Sequence, residues 1–172
     1  AAETKLPDPK KVGGPSILEA IDARASSVQN AFPSGDLTQE DWGTLLWAAT
    51  GLNRDGSKWT VPMGLGRPPY CKVYIATKNG MIAVAADDQR ALIPTQAPAK
   101  KVPAVMLIVA DSGELAKLPS PEPVSAEFAM VLGGSISQNV YLAAQTMDVG
   151  VRLVYSVDRD AAAKILKIAP KD

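Results

Sequence analysis

A chain of 172 residues, 47% of them hydrophobic, is the size of one domain and can bury a substantial core. Its 18 basic and 18 acidic residues cancel, which argues against a nucleic acid or lipid surface held by charge, and no apolar run reaches the roughly 18–20 residues of a membrane span. The absence of histidine excludes Ser-His-Asp and Cys-His catalysis and His-ligated metals, and the single Cys71 can form neither an internal disulfide nor a thiolate cluster.

Residues 1–15 are rich in Pro, Gly and Lys and read as an extended arm, with residues 16–172 as one domain. The opening Ala1-Ala2-Glu3-Thr4 resembles what remains after signal-peptidase cleavage, an arbitrary chain boundary being the alternative. Ser16 and Glu19 form a capping box for a first helix, whose apolar face is Ile17, Leu18, Ile21 and Ala25. Pro33-Ser34-Gly35 interrupts the chain. Thr38 and Asp41 start a second helix carrying Trp42, Leu45, Leu46 and Ala49 at helical spacing, and Gly51 closes it. The tryptophans read as core.

Glycines and prolines make residues 53–69 a loop. A hairpin follows, with strands at 71–76 and 81–86 around Lys78-Asn79-Gly80. Cys71 lies in the alternating stretch 70–76, where a buried structural thiol is expected. Beyond a Pro-rich connection, the continuous apolar run 104–110 suits a central strand covered on both faces. The longest helix is predicted over 126–147, with Phe128, Leu132, Ile136, Val140 and Ala143 at steps of three and four. Gly133, Gly134, Ser135 and Ser137 make its middle small-sided, and each glycine costs about 1 kcal/mol relative to Ala. Close approach of another helix, within the domain or across a dimer axis, would offset that. Residues 151–157 read as a last strand, and Asp158 caps a closing helix through Ile168. Helices interleaved with strands indicate a sheet covered by helices.

Two segments carry a family resemblance: Leu45-Leu46-Trp47-Ala48-Ala49-Thr50-Gly51-Leu52-Asn53-Arg54 and Ser137-Gln138-Asn139-Val140-Tyr141-Leu142-Ala143-Ala144. In this order they resemble the nitroreductase family, especially its small exported, SagB-type dehydrogenase-like members. The opening from Pro9 to Gly14, with Ile17-Leu18-Glu19-Ala20 and Ala23-Arg24, is similar to the family's N-terminal start. The resemblance implies an α+β fold, with a central, mainly antiparallel sheet flanked by helices. It further implies a homodimer built on the long helix, with FMN at the interface, and a periplasmic or secreted location.

What the resemblance implies for the site can be placed residue by residue. In Arg24-Ala25-Ser26-Ser27-Val28-Gln29, Arg24 and Ser26 match the family's phosphate and ribityl contacts, with Ser27 beside them. The relatives' second basic residue falls on Val28, and Gln29 would be its uncharged substitute. Thr60 and Pro62 match the next flavin-binding element. There Gly64-x-Gly66 could cradle an anion, and Arg67 either replaces the missing charge or is a solvated loop residue. Val154 and Tyr155 fall near the ring, Tyr155 where relatives carry Gly. No catalytic side chain is required, since the flavin performs the redox chemistry. The first functional reading is an FMN-dependent NAD(P)H oxidoreductase acting on nitroaromatics, quinones or similar acceptors. The second is a descendant of that scaffold that has lost flavin catalysis and acts as a ligand-binding or structural and interaction protein.

Overall fold

The computed structural model describes residues 4–27, 35–62, 69–77, 81–84, 90–93, 104–119, 122–147, 149–154 and 158–166. Reciprocal caps start the first two helices where the side chains call for them. In α1 (Ile17–Ala23) the Ser16 amide donates to Glu19 Oε2 at 2.7 Å, and the Glu19 amide donates back to Ser16 Oγ at 3.3 Å. The donation from Ser16 holds the Glu19 carboxyl below its ordinary range. Thr38 and Asp41 repeat the arrangement for α2 (Gln39–Thr50), at 2.8 and 3.2 Å.

Gly51 ends α2, and its amide donates to the Trp47 carbonyl at 2.8 Å. The turn is tight against the helix: a Cβ at Gly51 would lie 2.7 Å from the Trp47 carbonyl oxygen and from its Cα. Gly51→Ala is therefore expected to lower stability by about 1–3 kcal/mol through overpacking against backbone that cannot rotate away. Urea denaturation of the variant checks this through its midpoint.

The next segment differs from the expected loop. Leu52–Asn53 (β2) and Lys58–Trp59 (β3) pair as a short antiparallel hairpin. Its turn places Arg54, Asp55 and Gly56 at φ of 48°, 57° and 82°. Asp and Gly are residues that tolerate this left-handed region.

Among the described residues the main sheet has five antiparallel strands in the order β1-β6-β5-β4-β7. These are Thr4–Lys5 (β1), Cys71–Thr77 (β4), Met81–Val84 (β5), Arg90–Ile93 (β6) and Ala104–Ala110 (β7). The 71–76 and 81–86 hairpin is present as β4 and β5, and β4 runs one residue further than expected. Three features were not expected. The arm contributes a strand, β1, which pairs with β6 and buries Leu6 beside it. β6 itself lies within the stretch read as a connection. β7 is an edge strand among the described residues, partly exposed along its length, and not a central strand covered on both faces. Among the described residues it pairs only with β4, from Cys71↔Ala110 to Thr77↔Ala104.

Asp111 caps the short α3 (Ser112–Leu115) after β7, accepting from the amides of Gly113 and Glu114. An ion pair with Lys72 pulls the Asp111 carboxyl below its ordinary range and raises Lys72. The long helix, α4 (Glu122–Ala144), begins earlier than predicted, with Pro123 in the first turn, where no amide donor is required. The core lies between helices and sheet. Leu45, Leu46 and Ala49 of α2 meet Leu132, Ile136, Val140 and Ala144 of α4 over Val73 and Ile75 of β4.

Cys71 belongs to this core. Its Sγ lies 3.7 Å from the Ala129 carbonyl, and burial pushes the thiol up to about 12, so it is protonated and structural. After α4, residues 151–154 are irregular where the expected strand 151–157 would begin, and the rest of that stretch lies outside the described residues. Asp158 caps α5 (Arg159–Leu166) as anticipated, accepting from the Ala161 amide at 3.0 Å.

Candidate functional site

The capping box fixes where α1 begins, and after seven residues the helix ends at Arg24, whose ψ of 119° turns the chain outward. The irregular stretch that follows is tied to the far end of the chain: the Ser27 amide donates to the Val151 carbonyl at 2.9 Å. Tyr141, near the end of α4, joins the two segments from beneath. It is 6% exposed, and its hydroxyl accepts from the Leu153 amide at 2.8 Å and lies 2.9 Å from Ser26 Oγ. The Arg24 guanidinium carbon stands 5.4 Å from the centre of the Tyr141 ring, within cation–π distance.

Four of the residues anticipated from the sequence are thus drawn to one place: Arg24, Ser26, Ser27 and the 151–154 segment that carries Val154. Arg24 is half-buried and Ser26 exposed. Among the described residues no carboxylate pairs with Arg24. Leu153 and Val154 are 57% and 56% exposed, an apolar surface adjoining this polar cluster. Gln29, Gly64, Arg67 and Tyr155 lie outside the described residues, as does Val28.

Arg24 and Ser26 supply donor types suited to a phosphate monoester, a planar, permanently charged fork and a hydroxyl, both gathered on Tyr141. The donor set fits the phosphate end of FMN. The Ser27 amide is already spent on Val151 and adds nothing. Thr60 is spent as well. Its amide donates to Gly51 O at 2.9 Å, its hydroxyl to Trp47 O at 3.1 Å, and its carbonyl accepts from Asn139 Nδ2 at 3.1 Å. Asn139 also donates to Ala48 O at 3.0 Å. Asn139 therefore clamps together the two segments that carry the family resemblance.

Tyr141, which joins these segments, is not among the residues that the sequence singles out for the site. It follows Val140 on a helix whose apolar positions point to core, and burial of the ring conceals a hydroxyl that must find partners. That requirement was the available signal.

No family model matches this sequence, and no curated protein matches it. Among solved structures, the chain is similar to a protein from Ralstonia eutropha JMP134 described as a candidate nitroreductase. The two share a TM-score of 0.82 over 97% of this chain and 82% of that one, at 21% identity. The chain has the nitroreductase fold, an α+β architecture of an antiparallel sheet with helices packed on it.

Proposed function

We propose that the protein binds FMN, with the phosphate on Arg24 and Ser26, and acts as an NAD(P)H-dependent oxidoreductase toward nitroaromatic, quinone or related acceptors. The observation that carries this reading is the convergence of Arg24, Ser26 and the 151–154 segment on Tyr141, within a nitroreductase fold. When bound, the flavin supplies the hydride and electron transfer. The chain's part is to anchor the phosphate through charge-assisted donors and to offer Leu153 and Val154 as apolar cover for a flat ring.

We also propose that the working form is a homodimer joined through α4. Phe128, Met130 and Val131 on that helix are 42%, 65% and 66% exposed, and Ile17 and Leu18 of α1 are 61% and 74% exposed. Apolar surface of this kind marks an interaction face.

The second reading, a scaffold that has lost flavin catalysis, draws support from Val28. A cation near the flavin's N1 and O2 stabilises the reduced ring, and valine supplies none. NAD(P)H oxidation is therefore expected to be slow even with FMN in excess. The test is an absorption spectrum of the purified protein with FMN, followed anaerobically after addition of NADH or NADPH. Slow bleaching of bound flavin supports the oxidoreductase. Bound flavin that never bleaches selects the non-catalytic reading, and failure to bind FMN removes the flavin from both.

A further inference from the structure

We propose that Tyr141 is a positioning residue that turns the Ser26 hydroxyl outward as a donor, so that the end of α1 recognises a deprotonated phosphate. The inference rests on the reading above only in taking this cluster as the anion site; it concerns how the site is set.

The direction of the bonds follows from counting protons. A phenol has one proton to give and lone pairs to receive with. The Leu153 amide, 2.8 Å away, can only donate, so it uses a lone pair of Tyr141 Oη. Suppose Ser26, at 2.9 Å, also donated to Oη. The phenolic proton would then need another acceptor, and among the described residues none is bonded to it. Tyr141 is buried, so an unspent proton there is costly. The satisfied arrangement runs from the Leu153 N–H to Tyr141 Oη, and from the Tyr141 O–H to Ser26 Oγ. Ser26 then has one of its two lone pairs engaged from beneath, and its own proton is left to donate to a ligand.

The consequence is chemical. Without the phenol, an exposed serine hydroxyl rotates and can serve as donor or acceptor. With it, Ser26 is biased to donate. Arg24, held over the same ring, has no acceptor at all. A site in which Arg24 can only donate and Ser26 is biased to donate favours a ligand made of acceptors, which is a phosphate monoester or inorganic phosphate in its ionised form. The chain of bonds also links an occupied site to the 151–154 backbone, since an anion drawing on the Ser26 proton polarises each bond behind it.

The test uses the full chain and two probes, inorganic phosphate and FMN, with riboflavin as the phosphate-free control. Each is titrated into the wild type, Tyr141→Phe, Ser26→Ala and the double variant. Tyr141→Phe is expected to weaken phosphate and FMN binding by roughly fivefold. It should leave riboflavin unaffected and add nothing to Ser26→Ala in the double variant. Should Tyr141→Phe not fold, NMR on the wild type decides: phosphate shifts the Leu153 amide resonance, and Ser26→Ala abolishes that shift. Equal losses for FMN and riboflavin, additive effects in the double variant, or a Leu153 amide indifferent to phosphate would each overturn the proposal. Phosphate binding with these signatures but without FMN binding leaves the relay standing and removes the flavin reading. A wild type that binds neither probe removes the relay itself.

Discussion

Arg24→Ala is expected to weaken FMN binding by about 1.5–3 kcal/mol, one to two decades in affinity. The lost interaction is a charge-assisted contact from a planar fork that can meet two phosphate oxygens at once. Half-burial keeps Arg24 from being fully screened, which places the effect above that of an exposed ion pair. Arg24→Lys should fall between, since it keeps the charge but not the fork. Neither change should unfold the protein. Tyr141 retains its bonds to Leu153 and Ser26, and the cation–π contact contributes only about 0.5–1 kcal/mol at a partly exposed site. Quenching of flavin fluorescence gives the dissociation constants, and thermal melts confirm the fold. Unchanged affinity in Arg24→Ala would mean the phosphate is held elsewhere, with Arg67 the first residue to replace.

The features legible in the sequence are those that local chemistry specifies. The capping pairs Ser16 with Glu19 and Thr38 with Asp41 act over three residues, and both helices start where those side chains place them. The β4–β5 hairpin is likewise announced by Asn79-Gly80. The β2–β3 hairpin carried a comparable signal, Asp55-Gly56, which the surrounding glycines and prolines obscured. What remained hidden depends on partners far away in the chain. An apolar strand covered on both faces and an apolar edge strand read alike, and β7 is an edge among the described residues only through the order of the sheet. β1 has two residues, too few for any periodicity, and is a strand because β6 is there to pair with it. The candidate site divides along the same line. Arg24 and Ser26 were legible through the family resemblance. Tyr141, 115 residues from Ser26, became visible only once the fold had brought the two hydroxyls together.

A leucine at Gly134 is expected to split the dimer, and the sign of its effect on stability tells whether the dimer exists. The argument begins with what the monomer leaves open. A Cβ built at Gly133 or at Gly134 meets nothing within 4 Å, so neither glycine is explained by a neighbour among the described residues. Close approach within the domain, one of the two explanations for the small-sided stretch, therefore finds no partner among the described residues at these positions. The flanking hydroxyls do not point to an intramolecular partner either. Ser135 Oγ bonds back to the Val131 carbonyl at 3.1 Å and Ser137 Oγ to the Gly133 carbonyl at 2.8 Å, both on α4 itself. With Met130 and Val131 exposed beside them, the stretch is small-sided, apolar and uncovered among the described residues. If the protein were a monomer, Gly134→Leu would fill only solvent and would stabilise α4 by up to about 1 kcal/mol through helix propensity. In a dimer packed on this face, the same side chain holds the helices apart, and stability that depended on association is lost with it. Sedimentation velocity should show the wild type as a dimer and the variant as a monomer, with a lower and no longer concentration-dependent Tm. A wild type that sediments as a well-folded monomer at high concentration, together with a variant that melts higher, would reject the interface.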